Sequence, residues 1–144
     1  MIAANPFFDT NVLVYAYDSD TPDKRKTAQQ LIGRHGATGT LNLSTQVLQE
    51  FYVTVTRKLK RPLTPGAARD IVADLAGFPT ATIDVDLVMV AMDRSASDQL
   101  SYWDALIIES AIKAGCDVLY SEDLQAGRQI EGLTIVNPFL DQPR

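Results

Sequence analysis

The chain has almost none of the residues on which sulfur and imidazole chemistry depend: one cysteine and one histidine in 144 residues. A lone Cys116 cannot close an internal disulfide, and its place in Gly115-Cys116-Asp117, just before an apolar run, suits a small buried thiol in a reducing compartment. His35 sits among glycines and reads as a surface structural residue, so no imidazole is expected as a general base. Cysteine and histidine spacings of a metal site, a phosphate-cradling glycine loop and a Gly-x-Ser-x-Gly elbow are all missing. So are a basic leader followed by an apolar segment and any uncharged stretch of membrane-spanning length. The expectation is a soluble, cytoplasmic protein with no membrane partner. Basic residues are outnumbered 13 to 18, for a net charge of -5 and a pI near 4.7. That excludes a protein held on nucleic acid by a broad basic surface, and any such contact must be local.

What the chain does have is apolar material for one core. At 46% hydrophobic and 22% charged, residues 1–144 fit a single domain. Short strands are expected at Pro6–Phe8, Leu41–Leu43, Ala81–Ile83, Val118–Tyr120 and Leu133–Val136. Helices are expected over Asn11–Tyr17, Pro22–Arg34 (closed by Gly33 and Gly36), Thr64–Gly77 and Val85–Ser95. Two longer ones start at the caps Ser44 and Ser101, the first with its stripe Val47, Leu48, Phe51, Val55, Leu59 and the second running to Gly115. Short strands alternating with helices predict an α/β domain whose mainly parallel sheet is covered on both faces. Right-handed crossovers then bring the strand carboxyl ends and the following helix starts to one edge, where ligands bind.

Four acids fall at that edge. Asp9 follows the first strand, Asp123 follows the Val118–Tyr120 strand by two residues, Glu50 lies in the second turn of the helix after the second strand, and Asp104 lies in the first turn of the helix leading to Val118. Oxygen ligands converging from distant parts of the chain suit a hard divalent cation. Each acid alone has an ordinary reading: a helix cap for Asp9, a solvated flank for Glu50, a capping-box acid for Asp104, a turn residue for Asp123. Asp104, however, shares a helix face with Ile108, Ala111 and Gly115, which a capping acid does not require. Arg57, Lys58, Lys60 and Arg61 at a helix end, and Lys24, Arg25 and Lys26, read as solvated cations, the former with phosphate contact as the alternative. Glu122, Asp84, Asp86 and Asp98 read as first-turn or loop acids.

Phe8-Asp9-Thr10-Asn11, Gln49-Glu50-Phe51, Trp103-Asp104-Ala105 and Ser121-Glu122-Asp123-Leu124, in that order, resemble the PIN-domain ribonucleases, specifically the VapC-like toxins of toxin–antitoxin pairs. The resemblance runs from Phe7 to Phe139. It implies a five-stranded parallel sheet in the order 3-2-1-4-5 and a Mg²⁺- or Mn²⁺-dependent endoribonuclease acting on structured RNA. It further implies Asp9, Glu50, Asp104 and Asp123 as metal-site and catalytic residues, with Thr10, Asn11 and Ser121 as polar supports. A small cognate antitoxin and a homodimer are the partners it implies. The rival readings are a non-catalytic binding module on the same fold and an aspartyl phosphatase, which expects a second Asp where Asn11 stands. A phosphoacceptor receiver expects a late-strand lysine that Ser121–Asp123 does not supply.

Overall fold

Burial of two consecutive phenylalanines decides the architecture. In the computed structural model, which describes residues 4–140, Phe7 and Phe8 are both fully buried. Successive strand residues face opposite sides of a sheet, so a sheet through this segment must be covered on both faces. The first strand, β1 (Pro6–Phe8), lies parallel to β4 (Val118–Tyr120), which in turn lies parallel to β6 (Leu133–Val136). On the other side of β1, a bridge between Phe7 and Asn42 leads to β2 (Leu43–Ser44) and its parallel neighbour β3 (Thr80–Ala81).

The five expected strands therefore occur in the expected order, with two corrections. The sheet is not continuous: β1 and β2 are joined only by the Phe7–Asn42 bridge, where the Asn42 side chain also donates to the Pro6 carbonyl at 3.0 Å and to Asn5 Oδ1 at 2.8 Å. A sixth strand, β5 (Gln129–Ile130), pairs antiparallel with β6 at the edge. Its two-residue turn, Glu131-Gly132, has φ of 49° and 84°, the left-handed pair that tight hairpins need.

The helices are α1 (Thr10–Tyr15), α2 (Pro22–Thr38), α3 (Thr45–Arg57), α4 (Pro65–Leu75), α5 (Val85–Asp98) and α6 (Tyr102–Lys113). Ser44, Thr64, Asp84 and Ser101 each accept from the N–H three residues on, at 3.3, 3.2, 2.9 and 3.1 Å, and Asp9 accepts from the Thr10 N–H, so side-chain oxygens close five of the six N-termini. α2 does not stop at Gly33 or Gly36. Its Ala28, Leu31 and His35 are buried, and the helix ends at Gly39, whose φ of 70° supplies the left-handed terminus. His35 is consequently not a surface residue: it stands edge-on to Phe8 at 5.8 Å, and its Nδ1 pairs with Thr40 Oγ1 at 2.9 Å. Burial, with Arg34 nearby, pushes its pKa below the usual histidine value. Cys116 is buried as expected, its thiol pushed up to about 12 by desolvation.

Arg94 fastens the far side. It binds Glu109 of α6 and Glu131 of the β5–β6 turn, and Asp98 at 2.9 Å, so one guanidinium joins α5, α6 and the hairpin. Asp98 thus serves as an ion-pair partner in the last turn of α5, which runs past the expected Ser95, rather than as a first-turn or loop acid. Glu109 is buried, so Arg94→Met leaves a carboxylate without compensation and should destabilise the fold by about 3 kcal/mol or more. Arg94→Met with Glu109→Leu should recover most of that loss in urea melts; no recovery would show that the guanidinium acts through Asp98 and Glu131 instead.

Candidate active site

The register of β1 with β4 places the first acid. Phe8 pairs with Tyr120, and the next N–H, that of Asp9, donates to the Tyr120 carbonyl at 3.0 Å. Asp9 and Ser121 therefore leave adjacent strands side by side. Asp9 caps α1: one carboxylate oxygen accepts from the Thr10 N–H at 2.7 Å and the other from Ser121 Oγ at 2.8 Å. Ser121 is fully buried, and its hydroxyl also accepts from the N–H groups of Asp123 and Leu124 at 3.2 and 3.3 Å. That single hydroxyl sets the course of the loop after β4.

The next two residues of α1 reach the next two acids. Thr10 Oγ1 donates to Glu50 at 2.8 Å, and Asn11 Nδ2 donates to Asp123 at 2.9 Å while its Oδ1 accepts from the Glu122 N–H at 3.2 Å. Consecutive residues 9, 10 and 11 thus tie together acids from β1, α3 and the loop after β4. Thr10, Asn11, Glu50 and Asp123 line, with Tyr15, Val53, Thr54 and Lys58, a groove of about 600 Å³; the buried Asp9 is not in its lining. Lys58 is the one member of the basic helix end found there.

Asp104 stands apart from this arrangement. It occupies the first turn of α6, half-buried, with its N–H bonded to Ser101 Oγ at 3.1 Å and no hydrogen-bond partner for its carboxylate among the described residues. Gln46 Nε2 reaches both Glu50 (3.4 Å) and the carbonyl of Trp103 (3.3 Å). Asp9, Glu50 and Asp123 are brought together; Asp104 is bonded to none of them, and it is its neighbour Trp103 that Gln46 links to Glu50.

Four residues outside the expected set, Tyr15, Lys24, Glu122 and Gln46, support these acids. Tyr15 donates to Glu122 at 2.5 Å and Lys24 pairs with the other Glu122 oxygen at 2.6 Å, while the Lys24 ammonium sits 4.8 Å from the Tyr15 ring centroid. Glu122 is therefore a strut of the loop carrying Asp123, and Lys24 is its counter-ion rather than a solvated cation. The contact spans 98 residues, and nothing in the local sequence announces it. Gln46 had a visible signal, lying four residues before Glu50 on the same helix face.

Asp9 carries the electrostatic cost of the site. It is 7% exposed, and desolvation raises its pKa from an ordinary 3.8 to about 6, with Asp123 and Glu50 adding to the rise and the bonds from Ser121 and Thr10 opposing it. Among the described residues, no three His, Cys, Asp or Glu side chains are grouped so as to hold a metal ion. The donor set is nonetheless all oxygen and open to a groove. That suits a hydrated Mg²⁺-type ion, which uses one or two carboxylates and keeps several waters.

The raised pKa has a definite consequence for stability. Because the folded chain holds the Asp9 proton more tightly than the unfolded chain, the contribution of Asp9 to metal-free stability is greatest at acid pH and falls as pH rises from 3.8 through about 6, by up to about 3 kcal/mol. Asp9→Asn should remove this limb. Urea melts in EDTA from about pH 4 to 8 compare the two proteins, and equal slopes would exclude Asp9 as the source.

Comparison with known proteins agrees with this fold. No curated protein sequence matches the chain. Solved structures of similar fold include VapC20 from Mycobacterium tuberculosis, a sarcin-ricin loop cleaving toxin, at 19% identity and TM-score 0.62, covering 82% of this chain and 89% of that one. A toxin–antitoxin complex from Klebsiella pneumoniae matches at 19% identity and TM-score 0.65, over 92% of this chain and 97% of that one. VapBC2 from Rickettsia felis, bound to a DNA fragment from its promoter, matches at 19% identity and TM-score 0.59, over 90% and 96%. The profile of the PIN domain matches residues 7–129, the whole stretch from β1 to the edge hairpin, and the chain belongs to the PIN domain family.

Proposed function

We propose that this chain is a divalent-metal-dependent endoribonuclease acting as the toxin of a toxin–antitoxin pair. The observation that carries the reading is the buried Asp9 carboxylate, held at a strand end with its pKa raised, with Glu50 and Asp123 tied to its flanking residues at the edge of an open groove. Three carboxylates concentrated at one edge carry a cost that a bound cation relieves.

In this reading Asp9, Glu50 and Asp123 hold Mg²⁺ or Mn²⁺, with Asp104 contributing from the first turn of α6. The cation supplies Lewis-acid polarisation of the phosphoryl group. Thr10 and Asn11 orient Glu50 and Asp123 by hydrogen bonds, and Ser121 orients Asp9. Lys58, which also lines the groove, would meet a phosphate next to the one being cut. No histidine is needed, and His35 is enclosed by Phe8 and Tyr120. Structured RNA is the substrate class, in keeping with the sarcin-ricin loop cleaved by the similarly folded VapC20. The reading brings a small antitoxin as partner, as in the Klebsiella and Rickettsia complexes, and a homodimer, for which exposed Val85, Met89 and Met92 on α5 offer apolar area. Among the described residues no helix is long and apolar enough to cross a membrane.

Incubation of the purified protein with a labelled hairpin RNA, in Mg²⁺ or Mn²⁺ and in EDTA, tests the proposal. Cleavage at defined positions should require the metal, and Asp9→Asn and Asp104→Asn should each reduce it by about 100-fold or more with the circular dichroism spectrum unchanged. Full activity in EDTA refutes the metal reading, and full activity of Asp104→Asn removes that residue from the site. An intact, metal-loaded protein that binds RNA without cutting it would favour the non-catalytic alternative.

A further inference from the structure

Beside the acid groove lies a second hollow of about 530 Å³, on the other side of Glu50. Its apolar side is formed by Tyr102, Trp103, Ile83 and Leu106, and its polar side by Gln46, Gln49 and Glu50. Trp103 is the only tryptophan of the chain and is 61% exposed. It is nevertheless held in place. The Tyr102 ring stands against it edge-on, centroids 5.0 Å apart at 77°, and its carbonyl accepts from Gln46 Nε2 at 3.3 Å. Ile83, Leu106 and Tyr102 belong to the small core around Leu87, Ala91 and Ala105, so the wall behind the indole is packed.

We propose that this hollow is a nucleobase-stacking subsite for the nucleotide adjoining the scissile phosphodiester; the proposal rests on the ribonuclease reading above. Continuity is the first argument. Gln49 and Glu50 line both hollows, so a strand whose phosphate lies at the acids extends past Glu50 onto Trp103. Chemistry is the second. An exposed, braced aromatic face is the feature by which proteins take up unpaired RNA bases, which offer a π-face whatever their identity. Gln46 braces the polar side: it is 5% exposed, and its Nε2 donates to both Glu50 and the Trp103 carbonyl, which ties the acid groove to the backbone of the residue that carries the indole.

The single tryptophan makes the test direct. Asp9→Asn protein, which keeps Trp103, is titrated with a mixed-sequence single-stranded RNA oligonucleotide of about eight nucleotides while indole fluorescence is followed. Saturable quenching is expected. By anisotropy of labelled RNA, adding Trp103→Ala to this background should weaken binding about 5- to 150-fold, the range of one lost base stack, and Trp103→Phe should retain most of the affinity. In the otherwise wild-type protein Trp103→Ala should raise KM for RNA cleavage and leave kcat nearly unchanged. If wild type cuts RNA but its indole fluorescence does not respond and Trp103→Ala leaves KM unchanged, the subsite is refuted and the ribonuclease reading stands. If wild type neither cuts nor binds RNA, the ribonuclease reading fails and the subsite with it. If Trp103→Ala alters only the oligomeric state or the binding of a protein partner, the face is a protein interface and the subsite is again refuted.

Discussion

A carboxylate buried at the end of a central strand must find hydrogen bonds, and the way Asp9 finds them organises this molecule. Its two oxygens are satisfied by the Thr10 N–H and the Ser121 hydroxyl, one from the helix it starts and one from the neighbouring strand. The first bond turns the chain directly into α1, so that residues 10 and 11 also face the edge. The second requires β1 and β4 to be adjacent, parallel and paired Phe8 with Tyr120. A slip of one residue in that register would leave a buried charge unsatisfied and would turn Phe7 and Phe8 to the wrong faces. Electrostatic need and hydrophobic burial thus specify the same pairing.

Those hydrogen bonds lower the cost of burying Asp9 but do not remove it, since its pKa remains well above the ordinary range. The protein holds this unfavourable group in place with interactions elsewhere. Glu50 and Asp123 are each given a neutral donor, Thr10 and Asn11, rather than a cation, so their charge stays available to the groove. The cations of the neighbourhood are spent one layer out: Lys24 neutralises Glu122, which steadies the Asp123 loop. A site built this way is negative by construction and receptive to an ion of opposite charge.

The elements that could be read from sequence were those with a local cause. Ser44, Thr64, Asp84 and Ser101 cap their helices through bonds that span three residues, and the stripe Val47, Phe51, Val55 is buried as its spacing requires. The same locality misled where tertiary packing outweighed it. Gly33 and Gly36 read as a helix end, yet burial of Leu31 and His35 carries α2 on to Thr38. The edge strand β5 is only two residues long, and Glu131-Gly132 was its one local mark. At the candidate site, the strand-end positions of Asp9 and Asp123 follow from topology. The Tyr15–Glu122–Lys24 contact does not, because it depends on where two loops lie after the fold has formed.

The acidic composition is compatible with an RNA substrate once the groove is taken as the unit of recognition. A net charge of -5 opposes long-range attraction of a polyanion, so affinity has to come from short-range terms. Three are present around Glu50: carboxylates at an open groove, Lys58 in the lining of the same groove, and the braced indole of Trp103 beyond. In the proposed reading the first two act on phosphate, the carboxylates through a bound cation, and the third on a base, and a base can reach the indole only when it is unstacked. A molecule arranged in this way selects for a strand that already exposes a base next to a bendable phosphodiester, which loops of structured RNA do and continuous duplex does not. Weak long-range electrostatics then adds to that discrimination, because non-specific binding along duplex backbone depends on the broad basic surface that this chain lacks.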